Sequence, residues 1–264
     1  MSTKRKKKMA NEIVVIAKEE FSALASTGGQ MTGAMAALVA SGEKLTSSDL
    51  TRVPTPTGGG TVWQIPTVTG DPESVKEIVG VLVGYHKCGI LWPSEEPQEN
   101  AMPVLRTWDL VVAEQIGPIP DEMIDELEKV RIPGTNTYRW EALSYNQWNS
   151  GKGGQGKRCK EQRMMFVLRK NDAFPLLITV QPGSLKSITN FIKKVGMSRI
   201  PYWQAIIGLS LEKVANNSGQ PYSRIVPRLA GTLNEEDGVA VYNTWTKQMK
   251  TMLSRIDEGE ATEE

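Results

Sequence analysis

The apolar positions change rhythm along the chain. Over residues 11–25, NEIVVIAKEEFSALA, Ile13, Val14, Ile16, Ala17, Phe21 and Leu24 recur at helical spacing. TRVPTPTGGG (51–60) carries two prolines and three glycines and predicts a linker. Beyond it the pattern is strand-like. TVWQIP (61–66) alternates apolar and polar positions. KEIVGVLVGYHKCGILWP (76–93) predicts two short β-rich runs, with Gly80, Gly84 and Gly89 as bulges or bends. MMFVLR (164–169), PLLITVQP (175–182), WQAIIGLSLEKV (203–214) and YSRIVPRLAGTL (222–233) are short, rich in Val, Ile, Leu and aromatics, and bounded by Gly, Pro or Asn, as strands are. Two helices interrupt them. IPDEMIDELEKVR (119–131) has proline and acids at its start and bases at its end. SLKSITNFIKKVG (184–196) has Ser184 as N-cap and a C-terminal glycine. NEEDGVAVYNTWTKQMKTMLSRI (234–256) predicts a last helix.

Strands and helices do not alternate regularly, which argues against a doubly wound parallel sheet. The expected class is mainly β (α+β): an OB-like β-barrel with helical insertions, because interior glycines suit the coiled strands of a small barrel. A basic, partly helical N-terminal arm and linker over 1–57 precedes that domain at 58–233. A C-terminal helix and acidic tail over 234–264 follows.

At 264 residues, 39% hydrophobic and 23% charged, the composition is that of a soluble globular chain. No apolar run reaches the roughly 18 residues that cross a bilayer. The basic start, MSTKRKKKMANEIVVIA, has too short an apolar stretch for a signal peptide, so the expected location is the cytosol. Two cysteines, Cys88 and Cys159, and one histidine, His86, cannot supply a closed Cys/His zinc site or a disulfide framework. Net charge is +1, but its distribution is uneven. Residues 4–8 read KRKKK, residues 152–170 hold seven cations against Glu161 alone, and the tail DEGEATEE carries five carboxylates.

The central patch contains NSGKGGQGKRCK (149–160), one residue short of the phosphate loop G-x-x-x-x-G-K-[ST]. Arg158 stands where the metal-ligating hydroxyl belongs, and the preceding EALSYNQWNS is no buried strand. A nucleotide triphosphatase is therefore excluded. The glycines at 151, 153, 154 and 156 would let backbone amides approach a phosphate. Tyr138, Trp140, Tyr145 and Trp148 lie just upstream. Cations beside exposed aromatics are what a single-stranded nucleic acid site needs, because charges track the backbone while ring faces stack bases without reading sequence. Trp63, Trp92 and Trp203 lie in strand-like runs and are expected in the core; Trp148, in the polar YNQWNSG, is the best stacking candidate. His86 has no Ser or acid at a catalytic spacing. The carboxylates of 119–131 spread around a helix as a solvated face does, so no catalysis is expected.

Across residues 50–235 the chain resembles a family of phage-encoded single-stranded-DNA-binding replication accessory proteins. The resemblance rests on RVPTPTGGGTVWQIP (52–66), VKEIVGVLVGYHKCGILWP (75–93), NQWNSGKGGQGKRCKEQRMMFVL (146–168), FPLLITVQPGSLKSITNFIKKV (174–195) and LSLEKVANNSGQPYSRIVPRLAGTL (209–233). It implies an OB-like core and a cysteine knuckle that binds metal. This chain departs from that pattern. Only Cys159 matches, Glu141 and Ser144 stand where cysteines are expected, and VLRTWDLV (104–111) has none. The zinc knuckle is read as lost and no cofactor is expected.

The expected function is largely sequence-independent binding of single-stranded DNA in phage replication or recombination. Lys152, Lys157, Arg158, Lys160 and Arg163 would neutralise phosphates. Trp148, Tyr145, Trp140 and Tyr85 would stack bases, with Lys87 beside Tyr85. The acidic tail would recruit replication or recombination proteins or compete for the basic groove, and the N-terminal arm would mediate self-association. Two alternatives stay open: a protein–protein adaptor or inhibitor using the basic loop, and a strand-annealing recombinase.

Overall fold

The computed structural model describes residues 50–249, apart from residues 68, 96–100, 171, 173, 217 and 218. The KRKKK arm, the helix expected over 11–25, the end of the helix expected over 234–256 and the DEGEATEE tail lie outside the described residues.

In chain order the strands are β1 (Arg52–Val53), β2 (Trp63–Ile65), β3 (Glu73–Val75), β4 (Glu77–Leu91), β5 (Leu105–Thr107), β6 (Val112–Gln115), β7 (Thr137–Arg139), β8 (Lys160–Leu168), β9 (Leu176–Val180), β10 (Ala205–Ala215) and β11 (Pro221–Thr232). The helices are α1 (Asp121–Glu128), α2 (Pro182–Met197) and α3 (Glu235–Val241). Nine strands join in the order β1-β9-β8-β4-β5-β6-β7, with β10 on β4 and β11 on β10; β2 and β3 pair separately. β1 runs parallel to β9, whereas β4–β5, β5–β6, β6–β7, β4–β10 and β10–β11 are antiparallel. The protein is thus mixed α/β and mostly β. No closed barrel is found among the described residues.

Two expectations about the strands are corrected. Within 76–93 the structure has one 15-residue strand, Glu77–Leu91, rather than two runs. The glycines mark close packing, not bends: a Cβ would lie 2.5 Å from the Leu168 carbonyl oxygen at Gly80, 2.7 Å from Phe166 at Gly84 and 2.5 Å from Trp140 at Gly89. Nor is 51–60 a free linker. Val53 is buried on β9, and the Ser223 hydroxyl donates to the Gly60 carbonyl at 2.7 Å. Its prolines sit after the two ladder residues, where no strand amide is lost.

Contacts divide the chain into two compact units, whose boundaries fall inside β4, β8, β9 and α2. The first takes in the described residues up to Gly84, Phe166–Ile178 and those from Lys186 onward. There β10 and β11 pair along their whole lengths, with Ile206, Ile207, Leu209 and Ile225 buried. Trp63 is fully buried, as expected, and its indole N–H donates to the Leu209 carbonyl at 2.8 Å. Trp203 is half-buried and packs against Tyr202 and Tyr242. Asn234 caps α3 by accepting the Asp237 amide, and Trp245 and Met249 bury the turns that follow.

The second unit comprises Tyr85–Met165 and Thr179–Leu185. Its core joins Leu91 of β4, Leu105 of β5, Tyr138 of β7, Met123 and Leu127 of α1, and Trp140. β5, β6 and β7 form a small antiparallel meander. The β5–β6 turn places Leu110 at φ 68°, and the Asp109 carboxylate accepts the amides of Val111 and Val112 at 2.7 and 2.9 Å. α1 is shorter than expected because Lys129 and Arg131 lie past its end, where they pair with Glu126 and Glu128. α2, the helix that passes from this unit into the first, opens at Pro182 rather than at a Ser184 cap. Proline fits the first helical turn, where its missing N–H is no loss.

Candidate functional site

The basic loop belongs to the second unit and is anchored at both ends by buried side chains. Trp140 and Leu143 hold its start in the core, and Cys159 holds its end. Between them lie short 3₁₀ turns at Trp140–Ala142, Ser144–Asn146 and Lys152–Gly154. Hydrogen bonds stitch the loop to itself. The Cys159 amide donates to the Tyr145 carbonyl at 2.9 Å, and the Arg158 amide to the Ser150 hydroxyl at 3.0 Å. That hydroxyl in turn lies 2.8 and 2.7 Å from the Tyr145 and Gln147 carbonyls. Asn146 donates to the Trp140 carbonyl at 3.2 Å.

Gly151 and Gly154 act differently from expectation. The amides of Gly151, Gly154 and Gln155 donate to the carbonyls of Gly156, Gly151 and Lys152. They close the loop on itself instead of cradling an anion. Gly153, Gly154 and Gly156 have φ of 62°, 74° and 64°, the left-handed region that side chains resist.

Those side chains fall into distinct groups. Trp148 projects from the loop with 74% of its surface exposed, the one aromatic among the large apolar side chains so exposed in the described residues. Lys152 and Lys160 are exposed; the Lys160 ammonium donates to the Lys157 carbonyl at 2.7 Å. Lys157 is half-buried between Asn146 and Glu161, at 3.2 and 3.3 Å. Arg158 donates to the Pro93 carbonyl at 2.8 Å and lies over the Tyr145 ring, 4.8 Å from its centroid. Arg163, on β8, is half-buried and donates to the Gln162 carbonyl at 2.9 Å.

Two expected stacking residues are corrected. Trp140 is only 1% exposed, packed in the core against Gly89, and no base can reach it. Tyr145 is half-buried against that core and one face carries Arg158, so it serves as a shelf for the guanidinium. Burial pushes its hydroxyl pKa up, with Arg158 partly opposing. Tyr85 and Lys87 sit two apart on β4, half-buried and exposed, and therefore share a face. Among the described residues no hydrogen bond or ion pair joins them to the loop. Sequence reasoning placed Trp92 in the core, yet it is half-buried and lines a small pocket with Lys152, Arg158 and Lys160. Its place at the end of β4, just before Pro93, is the signal that could have found it.

Cys159 is buried, and burial pushes its thiol up to about 12 despite three neighbouring cations. Among the described residues no group of three or more His, Cys, Asp or Glu side chains gathers as a metal site. No helix among them is long and apolar enough to cross a membrane. No known family model, curated protein or solved structure matches the chain.

Proposed function

We propose that the protein binds single-stranded DNA without catalysis, using the 144–159 loop and the start of β8. The observation that carries this reading is Trp148: an indole left 74% exposed on a braced loop that also carries Lys152 and Lys157, with Lys160 at its end. Leaving so large an apolar ring in water is unfavourable unless a partner covers it. A base stacked on such a ring contributes about 1–3 kcal/mol regardless of its identity. Ammonium groups nearby attract the connecting phosphates. A duplex, whose bases are hidden, would leave the indole unused. The finer fold reading, an OB-like core, belongs with this proposal. Its support is β4, a long strand that serves three sheet neighbours, β8, β5 and β10. Phage replication or recombination is the setting implied by the resemblance of the loop and its flanks.

The test is a titration with oligo-dT, followed by tryptophan fluorescence at several salt concentrations. Binding should quench the emission, and the logarithm of affinity should fall with the logarithm of salt by about 0.7 per phosphate contact. Unquenched, salt-independent emission would reject single-strand binding and favour an adaptor that uses the loop on an acidic protein.

A further inference from the structure

Trp92 was expected in the core, and what it does instead extends the site. At the end of β4 the chain turns out through Trp92, Pro93, Ser94 and Glu95. Arg158 fastens this segment to the glycine loop through its 2.8 Å hydrogen bond to the Pro93 carbonyl. The result is a small pocket between the two segments. One side is formed by the half-buried Trp92, the other by Lys152 and Arg158 of the glycine loop with Lys160 of β8, and among the described residues Glu95 supplies the one carboxylate of the lining. An indole and three cations lining one narrow cleft match a nucleotide, which has a flat aromatic part and an anionic part a few bonds away.

We propose that one nucleotide within a DNA strand docks over the mouth of this cleft, which is too small (about 70 Å³) to enclose it, with its base against Trp92 and its phosphodiester against Lys152 and Lys160. The inference rests on the single-strand reading above and adds a second stacking point to Trp148. Arg158 is a positioning residue here: its guanidinium is already held by Tyr145 and Pro93 and keeps the two walls together. Glu95 opposes the phosphate. Removing its charge therefore strengthens binding, an effect that no folding defect can imitate.

The experiment uses the full chain and dye-labelled dT oligomers, read by fluorescence anisotropy, with hydroxyl and phosphate 5′ ends compared. Trp92→Ala should weaken binding about tenfold, the loss of one stacked base. Glu95→Gln should tighten binding severalfold, equally for both kinds of 5′ end. If the unaltered chain binds no oligomer, both this inference and the parent reading fall. If it binds, and Trp148→Ala weakens binding while Trp92→Ala and Glu95→Gln leave it unchanged, the pocket alone is rejected. A Glu95→Gln effect confined to 5′-phosphorylated oligomers would also overturn the proposal, since it would place a terminal phosphate in the pocket rather than an internal one.

Discussion

The guanidinium of Arg158 lies 4.8 Å from the centre of the Tyr145 ring while it donates to the Pro93 carbonyl at 2.8 Å. One side chain thus joins the loop, the aromatic shelf beneath it and the segment that follows β4. Arg158→Ala should lower stability by about 2 kcal/mol, the sum expected from a lost cation–π contact and a charge-assisted hydrogen bond. Arg158→Lys keeps the charge but not the planar fork, so it should recover little of that stability. Urea denaturation of both variants checks this. A lysine variant as stable as the original would show that charge alone matters at this position.

Trp148 and Trp140 stand eight residues apart in the chain and give opposite expectations. Trp148→Ala should leave stability within about 0.5 kcal/mol, as exposed positions do, while oligonucleotide affinity falls about tenfold. Trp140→Ala should cost about 3–5 kcal/mol of stability, because it empties a filled core position. Thermal melts paired with oligo-dT titrations separate the two. Equal destabilisation by both would mean that Trp148 packs inside the protein in solution.

That contrast shows which features the sequence could reveal. β9, β10, β11 and the 164–168 part of β8 were legible because each carries enough Val, Ile, Leu, Met or Phe between turn residues to show its type. The charged start of β8, Lys160–Arg163, instead reads as loop. β5, β6 and β7 were not, since three or four residues are too few for alternation to be visible. Trp148 was legible because nothing apolar surrounds it in YNQWNSG. Trp140 and Trp92 were misplaced for one shared reason. Their fate depends on which segment packs opposite, Gly89 in one case and the glycine loop in the other, and local pattern carries no record of that. The same holds for Gly151 and Gly154, whose amides find partners within the loop.

Gly151 tests whether the closed loop matters for binding. It is buried, and a Cβ there would collide with the Gln155 carbonyl oxygen. Gly151→Ala must therefore open the Gly151–Gln155 turn and shift Lys152. Oligonucleotide affinity should fall several-fold. Gly153→Ala meets no neighbouring atom and strains only its own backbone, by about 1 kcal/mol. It should change affinity less. Anisotropy titrations on the two variants, with melts as control, give the comparison. The reverse ranking would show that flexibility at 153, rather than closure at 151, governs the site.

Cys159 fastens the end of the loop, and its thiol reports on that anchor. Burial raises its pKa from 9.0 to about 12, so the folded state favours the neutral thiol. A raised pKa of this kind contributes stability that is fully present below the unfolded value. That contribution is lost as pH climbs from about 9 toward 12. At pH 8 a thiol reagent should therefore react with the folded protein only through unfolding, and Cys88, also buried, should be equally silent. The rate of modification should rise steeply with urea, in step with the loss of structure. Cys159→Ala removes the titrating group while keeping a small apolar side chain. It should flatten the fall in stability between pH 9 and 10.5 without altering oligonucleotide affinity at pH 7.5. Rapid labelling of Cys159 in native buffer would mean that the loop opens on its own, and the braced platform beneath Trp148 would then be a transient one.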